Sequence, residues 1–408
     1  TPENWLADGP TDAPVVLQST VKTLVAYGVE NEHDSEEDEI MVGDISGAFN
    51  ESDDYDDGKP RYAIWQPYRN ASYRVFRMDS PLYGTLEAPM YWHNTFVKWI
   101  TSVGYEPGQN DKSVYVHPVT KHRVAKHVDD LMTRGTKEVN AWFKSECNKR
   151  FPVKGWHHLA CDNSVIWCGV KYLMRRHNGV VQYGLTQMDD IRDFLDMHGY
   201  TGVQQVNEPM ANRKELYSDA RGVTDEEHSW LRSVVGTLSY YADKTMYMIA
   251  AEVNIIAQHL AKPTQGTLKA TRRVMAYLAQ PGVWDKVFWV NRTNKNVWTT
   301  YVDSDWAGER EYSHTKSRTG VIILLNGLPV FWRSNKQPDT SLSSAQAEVY
   351  ALAEAARDVS LRFWIAEELL LQVTWPAIIL VDNSSGIIFQ QSMNPASKLK
   401  GVFDLRLN

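Results

Sequence analysis

Residues 124–132 read Val124-Ala125-Lys126-His127-Val128-Asp129-Asp130-Leu131-Met132. Short apolar stretches on both sides make this a strand, a tight turn and a second strand, with two adjacent carboxylates at the tip. Adjacent acids repel unless a cation sits between them, so the pattern suits a hard-oxygen site for a divalent ion beside a third acid delivered from elsewhere. Asp44 is the candidate for that third acid, since Glu39-Ile-Met-Val-Gly-Asp44 reads as a strand ending on it. Asp-Asp pairs are also common in solvated turns, so the surrounding blocks decide the reading.

Working outward, residues 15–27 carry Val, Leu and Ala at helical spacing. Pro89 suits the first turn of a helix that buries Trp92, Phe96, Trp99 or Ile100 and Val103 and ends at Gly104. Strands are expected at 114–116 and 123–134, a helix and strands over 141–175, and a helix from about Met188 to His198 after Gln182–Thr186. Residues 224–280 read as mainly helical, with breaks near Gly236, Lys244 and Pro263–Gly266. Beyond Pro281-Gly282 the pattern alternates over 297–302, 320–325 and 330–332. A long helix from about Ser343 to Leu371 and a strand at 378–381 follow.

At 408 residues, with 43% hydrophobic and 23% charged residues, the chain has the composition of a globular protein of two or three domains. No apolar run approaches the ~20 residues of a membrane-spanning helix, so no membrane partner is expected. The start shows neither an initiator Met nor an export signal, which reads as a piece of a longer polyprotein. Cys147, Cys161 and Cys168 lack paired spacing and read as reduced, mostly packing residues of an intracellular protein that is not secreted.

The net charge of −7 argues against strong nucleic-acid affinity, although much of the acid sits in Glu30–Glu39 and Glu51–Asp57, which read as solvated loops. Basic patches remain at Lys121-His122-Arg123, Arg175-Arg176-His177, Lys269/Arg272/Arg273 and Lys316/Arg318. The Lys269 set shares one helix face, which could lie along phosphates or simply in solvent.

Three blocks in order, Val42-Gly43-Asp44-Ile45-Ser46-Gly47-Ala48-Phe49, Ser80-Pro81-Leu82-Tyr83-Gly84 through Trp92, and the Asp129-Asp130 turn, resemble the reverse transcriptase palm of copia-type LTR retrotransposon Pol polyproteins. The likeness continues in Trp230–Tyr241, Asp303–Gly308 and Leu342–Leu352, and so covers nearly the whole chain. It implies an α/β protein: an α+β palm with a ferredoxin-like core and partial fingers over 1–186, a helical thumb and connection over 187–292, and a ribonuclease H-like α/β domain over 293–408.

The resemblance implies an RNA-directed DNA polymerase with ribonuclease H activity, working by two-metal phosphoryl transfer. Mg²⁺, with Mn²⁺ able to substitute, is the expected cofactor at two ions per site. Asp44 and Asp129 would hold the polymerase metals and Asp130 would help fix the site. Phe49 would exclude a sugar 2′-hydroxyl, and Tyr83 and Gly84 would lie under the incoming nucleotide. Asp303, Glu348, Asp382 and Asp404 would hold the nuclease metals. RNA template, DNA primer, RNA–DNA hybrid and dNTPs would be the partners, with integrase or capsid parts of the polyprotein alongside.

The chain departs from the family pattern at several places. His127 replaces the Tyr of the Y-V-D-D turn, Glu87 replaces a Gln, Gly401-Val402-Phe403-Asp404 replaces K-H-I-D, and no K-A-R-L-V-A-K-G fingers segment is recognised before Val15. These changes leave a second reading open, a catalytically decayed remnant or domesticated nucleic-acid-binding protein of the same fold.

Overall fold

The computed structural model describes residues 13–28, 38–56, 58–68, 71–200, 206–210, 213–290, 296–306 and 316–382. It is a mixed α/β protein that divides into two compact units, one of residues 1–21, 31–159 and 365–371 and one of residues 22–30, 160–364 and 372–408. The expected span 187–292 falls in the second unit, and so does 293–408 except for residues 365–371, which belong to the first.

The first unit is built on a six-stranded sheet. In spatial order its strands are Glu106–Pro107, Val114–Val116, Arg123–His127, Asp130–Thr136, Asp38–Ile45 and Val153–His158. Helices Ala88–Ser102 and Lys137–Arg150 supply the other half of the core, where Trp92, Phe96, Ile100 and Phe143 meet Met41, Tyr115, Leu131 and Phe151. Pro89 lies in the first helical turn, where its missing N–H costs nothing. A buried ion pair closes the far end of the central strands, with Arg134 Nη2 2.6 Å from Asp38 Oδ2. The end of the acidic run expected to be a solvated loop is therefore strand, because Asp38 finds a buried cation opposite it.

Residues of the 365–371 segment complete this unit. Arg123, expected on a basic surface, is buried and donates to the carbonyls of Leu369 (2.8 Å) and Leu370 (3.0 Å). Glu368 accepts from the backbone N–H groups of Gln109 and Asn110.

In the second unit, helices Asp225–Lys244, Ala250–Ala257 and Gln265–Leu278 bury Val234, Leu238, Val253, Ile256, Val274 and Leu278 together. Thr224 and Glu227 form a capping box at the first helix. Gly236 does not break that helix, since the buried Val234, Val235 and Leu238 hold its turn by packing. The breaks fall at Thr245 and around Pro263.

A second sheet carries Leu328–Lys336, Arg318–Leu325 and Val297–Asp305 antiparallel, with Thr374–Leu380 added parallel to Val297–Asp305 after the long helix Ser344–Glu368. Parallel pairing requires such a crossover. Arg318 is buried here and donates to Asn254 Oδ1 and the Ser334 carbonyl, so it is spent on structure. Among the described residues no helix is long and apolar enough to cross a membrane.

Candidate functional site

The hairpin tip in the first unit is held from three directions. Val128 takes φ +57°, a costly conformation for a β-branched side chain. Two hydrogen bonds over-determine it: Ile45 N–H donates to the Asp129 carbonyl at 3.0 Å, and the buried Trp92 indole N–H donates to the Val128 carbonyl at 2.6 Å. Asp44 and Asp130 are cross-strand partners in the register of the central strands, and Asp129 lies in the turn beside them. Burial raises the carboxyl of Asp130 above its usual range, and the fields of Asp129 and Asp44 add to the shift.

Lys126 is almost fully buried, with its ammonium over the Phe96 ring at 5.4 Å; burial lowers it to about 8, and Asp129 opposes that shift. Tyr83 is pushed up by burial and by Asp129 and Asp44, so its hydroxyl shares their field. Its ring lies 4.6 Å from that of Phe49, centroid to centroid. Gly84 takes φ +95°, which a side chain would resist.

Glu87, one of the departures, does not point a free charge at the tip. It accepts from Arg61 Nε at 3.2 Å and from the Tyr55 hydroxyl at 3.3 Å.

In the second unit, parallel pairing sets Tyr301 beside Leu380, so Asp303 and Asp382, each two residues further on, emerge level with one another. Glu348 comes from the opening turns of the helix Ser344–Glu368 and is buried. One carboxylate oxygen from each of the three lies within 4.8 Å of the others. Among the described residues this convergence is found at Asp303/Glu348/Asp382 and not at Asp44/Asp129/Asp130.

Burial raises the Glu348 carboxyl, with Asp303 and Asp382 adding to it. Ser304 lies close enough to oppose the shift, yet neither its Oγ nor Glu348 Oε2 makes a hydrogen bond. A buried acceptor without a donor, facing two further carboxylates, is a donor set suited to a hard divalent cation. A cavity of about 540 Å³ adjoins the acids and is lined by Asp303, Asp382, Tyr301, Tyr247 and Trp332 among others.

No protein-family model matches the chain. It is 25% identical over 382 residues, 91% of its length, to the retrovirus-related Pol polyprotein from transposon RE1 of Arabidopsis thaliana. It is 27% identical over 315 residues, 76% of its length, to that from transposon RE2 of the same plant. The chain is similar over most of its length to copia-type retrotransposon Pol polyproteins. The polyprotein from transposon TNT 1-94 of Nicotiana tabacum is a further relative, 23% identical over 356 residues and 85% of the chain. The chain spans 24%, 20% and 26% of the length of these three relatives.

Asp404, expected as the fourth nuclease acid, lies outside the described residues. Two positions were not read from the sequence as part of the site. Trp92 reads as core, but a buried indole N–H needs an acceptor, and that need was the available signal. Gly43 precedes Asp44, and a Cβ there would lie 2.6 Å from the Trp156 ring, a contact between strands that no local pattern announces.

Proposed function

We propose that this chain is an RNA-directed DNA polymerase with ribonuclease H activity, carrying out in-line phosphoryl transfer at two separate acid sites. The observation that supports it most is the convergence of Asp303, Glu348 and Asp382 within 4.8 Å around an unbonded, buried Glu348 oxygen. These three would hold two Mg²⁺ or Mn²⁺ ions, and Asp44 and Asp129 would hold a second pair. Bound ions of this kind lower the pKa of the attacking hydroxyl or water and neutralise charge on the phosphate.

The chain's own residues supply position and exclusion. Trp92 and Ile45 fix the turn carrying Asp129, so the tip needs little reorganisation when charge is added. Phe49, braced by the Tyr83 ring, would close the space that a sugar 2′-hydroxyl needs. Rigid presentation of Asp303 and Asp382 on neighbouring strands would hold a hybrid's phosphate in line. RNA template, DNA primer, hybrid and dNTPs are the proposed substrates, and other parts of the polyprotein are the proposed partners.

Separability tests the reading. Asp129→Asn should abolish Mg²⁺-dependent extension of a DNA primer on RNA while sparing hybrid cleavage, and Asp303→Asn should do the reverse. Loss of both activities in either folded variant would contradict two sites. A non-catalytic remnant of the same fold is the second reading. It is favoured by Lys126, a buried cation whose field already falls on Asp129.

A further inference from the structure

The two-stranded hairpin Arg61–Trp65/Arg74–Met78 is the most exposed apolar feature of the first unit. Tyr62, Trp65, Tyr68, Tyr73 and Phe76 are between 50% and 72% exposed. A two-stranded ribbon is marginal alone, and so much exposed ring surface marks an interaction site.

Charge narrows the partner. Residues 58–78 contain five Lys or Arg and no Asp or Glu, inside a chain whose net charge is −7. Cross-strand register sets Trp65 opposite Arg74 and Ala63 opposite Phe76, so Trp65, Arg74 and Phe76 share one face. Arg61 lies at the other end of that same face and is tied down by Glu87 and Tyr55, its guanidinium 3.8 Å from the Tyr55 ring centroid. The anchored end orients the ribbon, and the free end offers ring, cation and ring in sequence. Aromatic faces interleaved with cations suit unpaired bases and the phosphates between them, whereas paired bases present no open face to stack on.

We propose that the Trp65/Arg74/Phe76 face binds single-stranded nucleic acid, with bases stacked on Trp65 and Phe76 and a phosphate on Arg74. This does not depend on either acid set being active.

The test is fluorescence anisotropy of a labelled oligo-uridine or oligo-thymidine strand with the whole chain in EDTA, where catalysis is silent and a failure of the enzymatic reading has no effect. Either strand should bind better than a duplex of equal length. Trp65→Ala and Phe76→Ala should each weaken binding roughly fivefold to a hundredfold. Arg74→Ala should lower the slope of log affinity against log salt by about 0.7. Trp65→Phe keeps a ring on the same backbone and should restore binding lost in Trp65→Ala, which separates stacking from a damaged fold. Duplex binding equal to single-strand binding, or undiminished binding by Trp65→Ala and Phe76→Ala, overturns the proposal.

Discussion

The indole N–H of Trp92 donates to the carbonyl of Val128 at 2.6 Å, which ties the helix Ala88–Ser102 to the turn that carries Asp129. Trp92 also packs against Phe96 and Phe151, so the turn is tied to the buried core of its unit.

Trp92→Phe keeps most of the ring packing but leaves the Val128 carbonyl without its donor. A loss of about 1–3 kcal/mol in urea unfolding is expected. Primer extension should fall roughly tenfold or more, since a small displacement of a reacting group is costly. Hybrid cleavage should be unchanged, and equal loss of both activities would count against the specific link.

The Glu348 cluster makes a prediction about metal. Its carboxyl is raised, so the folded protein holds that proton more tightly than the unfolded chain does, and stability is lost as pH rises through the raised value. At pH 7 in EDTA, Glu348→Gln should therefore melt higher than the original chain, and the difference should vanish below the ordinary carboxylate range. Added Mg²⁺ should raise the melting temperature of the original more than that of the variant. A variant that gains equally from Mg²⁺ would remove Glu348 from the site.

His122 should set an acid limit on the first unit. Its Nε2–H donates to Asn140 Oδ1 at 2.8 Å, an orientation fixed because Asn140 Nδ2 donates to the Glu39 carbonyl. Its Nδ1 is thus left to accept from the Tyr105 hydroxyl at 2.6 Å. Burial lowers the imidazole to about 4, so the unfolded chain takes up the proton first as pH falls. Stability should decline between about pH 6.5 and 4, by about 3 kcal/mol at most. His93, lowered to about 4 by burial and Lys126, adds to the same slope. Urea midpoints of the original chain and of His122→Gln across this range check it, the variant giving the flatter curve.

Gly43→Ala should cost about 1–3 kcal/mol, because its Cβ would overlap the Trp156 ring. Primer extension should fall with it as Asp44 shifts. The double variant Gly43→Ala/Trp156→Leu should recover stability if the ring is the obstacle.

Strands and helices with strong periodicity were legible in the sequence: the Asp38–Ile45 strand, the helix after Pro89 and the long helix carrying Glu348 all fall where the pattern puts them. So was the mixed α/β class. Pairing across distance was not. Arg123 and Arg318 read as surface charge, but both are buried on backbone carbonyls contributed by other segments, information that spacing does not hold. Gly236 read as a break by propensity, and packing overrode it. The convergence of Asp303 with Asp382 follows from parallel register, which only the folded sheet supplies.

Because residues 365–371 belong to the first unit, that unit is not contiguous in synthesis order. The acceptors for Arg123 leave the ribosome roughly 10–40 s after Leu159 at ordinary elongation rates. Until then a buried guanidinium has no carbonyls to meet, and the strand end around it stays open to chaperones, proteases and neighbouring chains. Expression of a fragment ending at residue 159 would make that interval permanent.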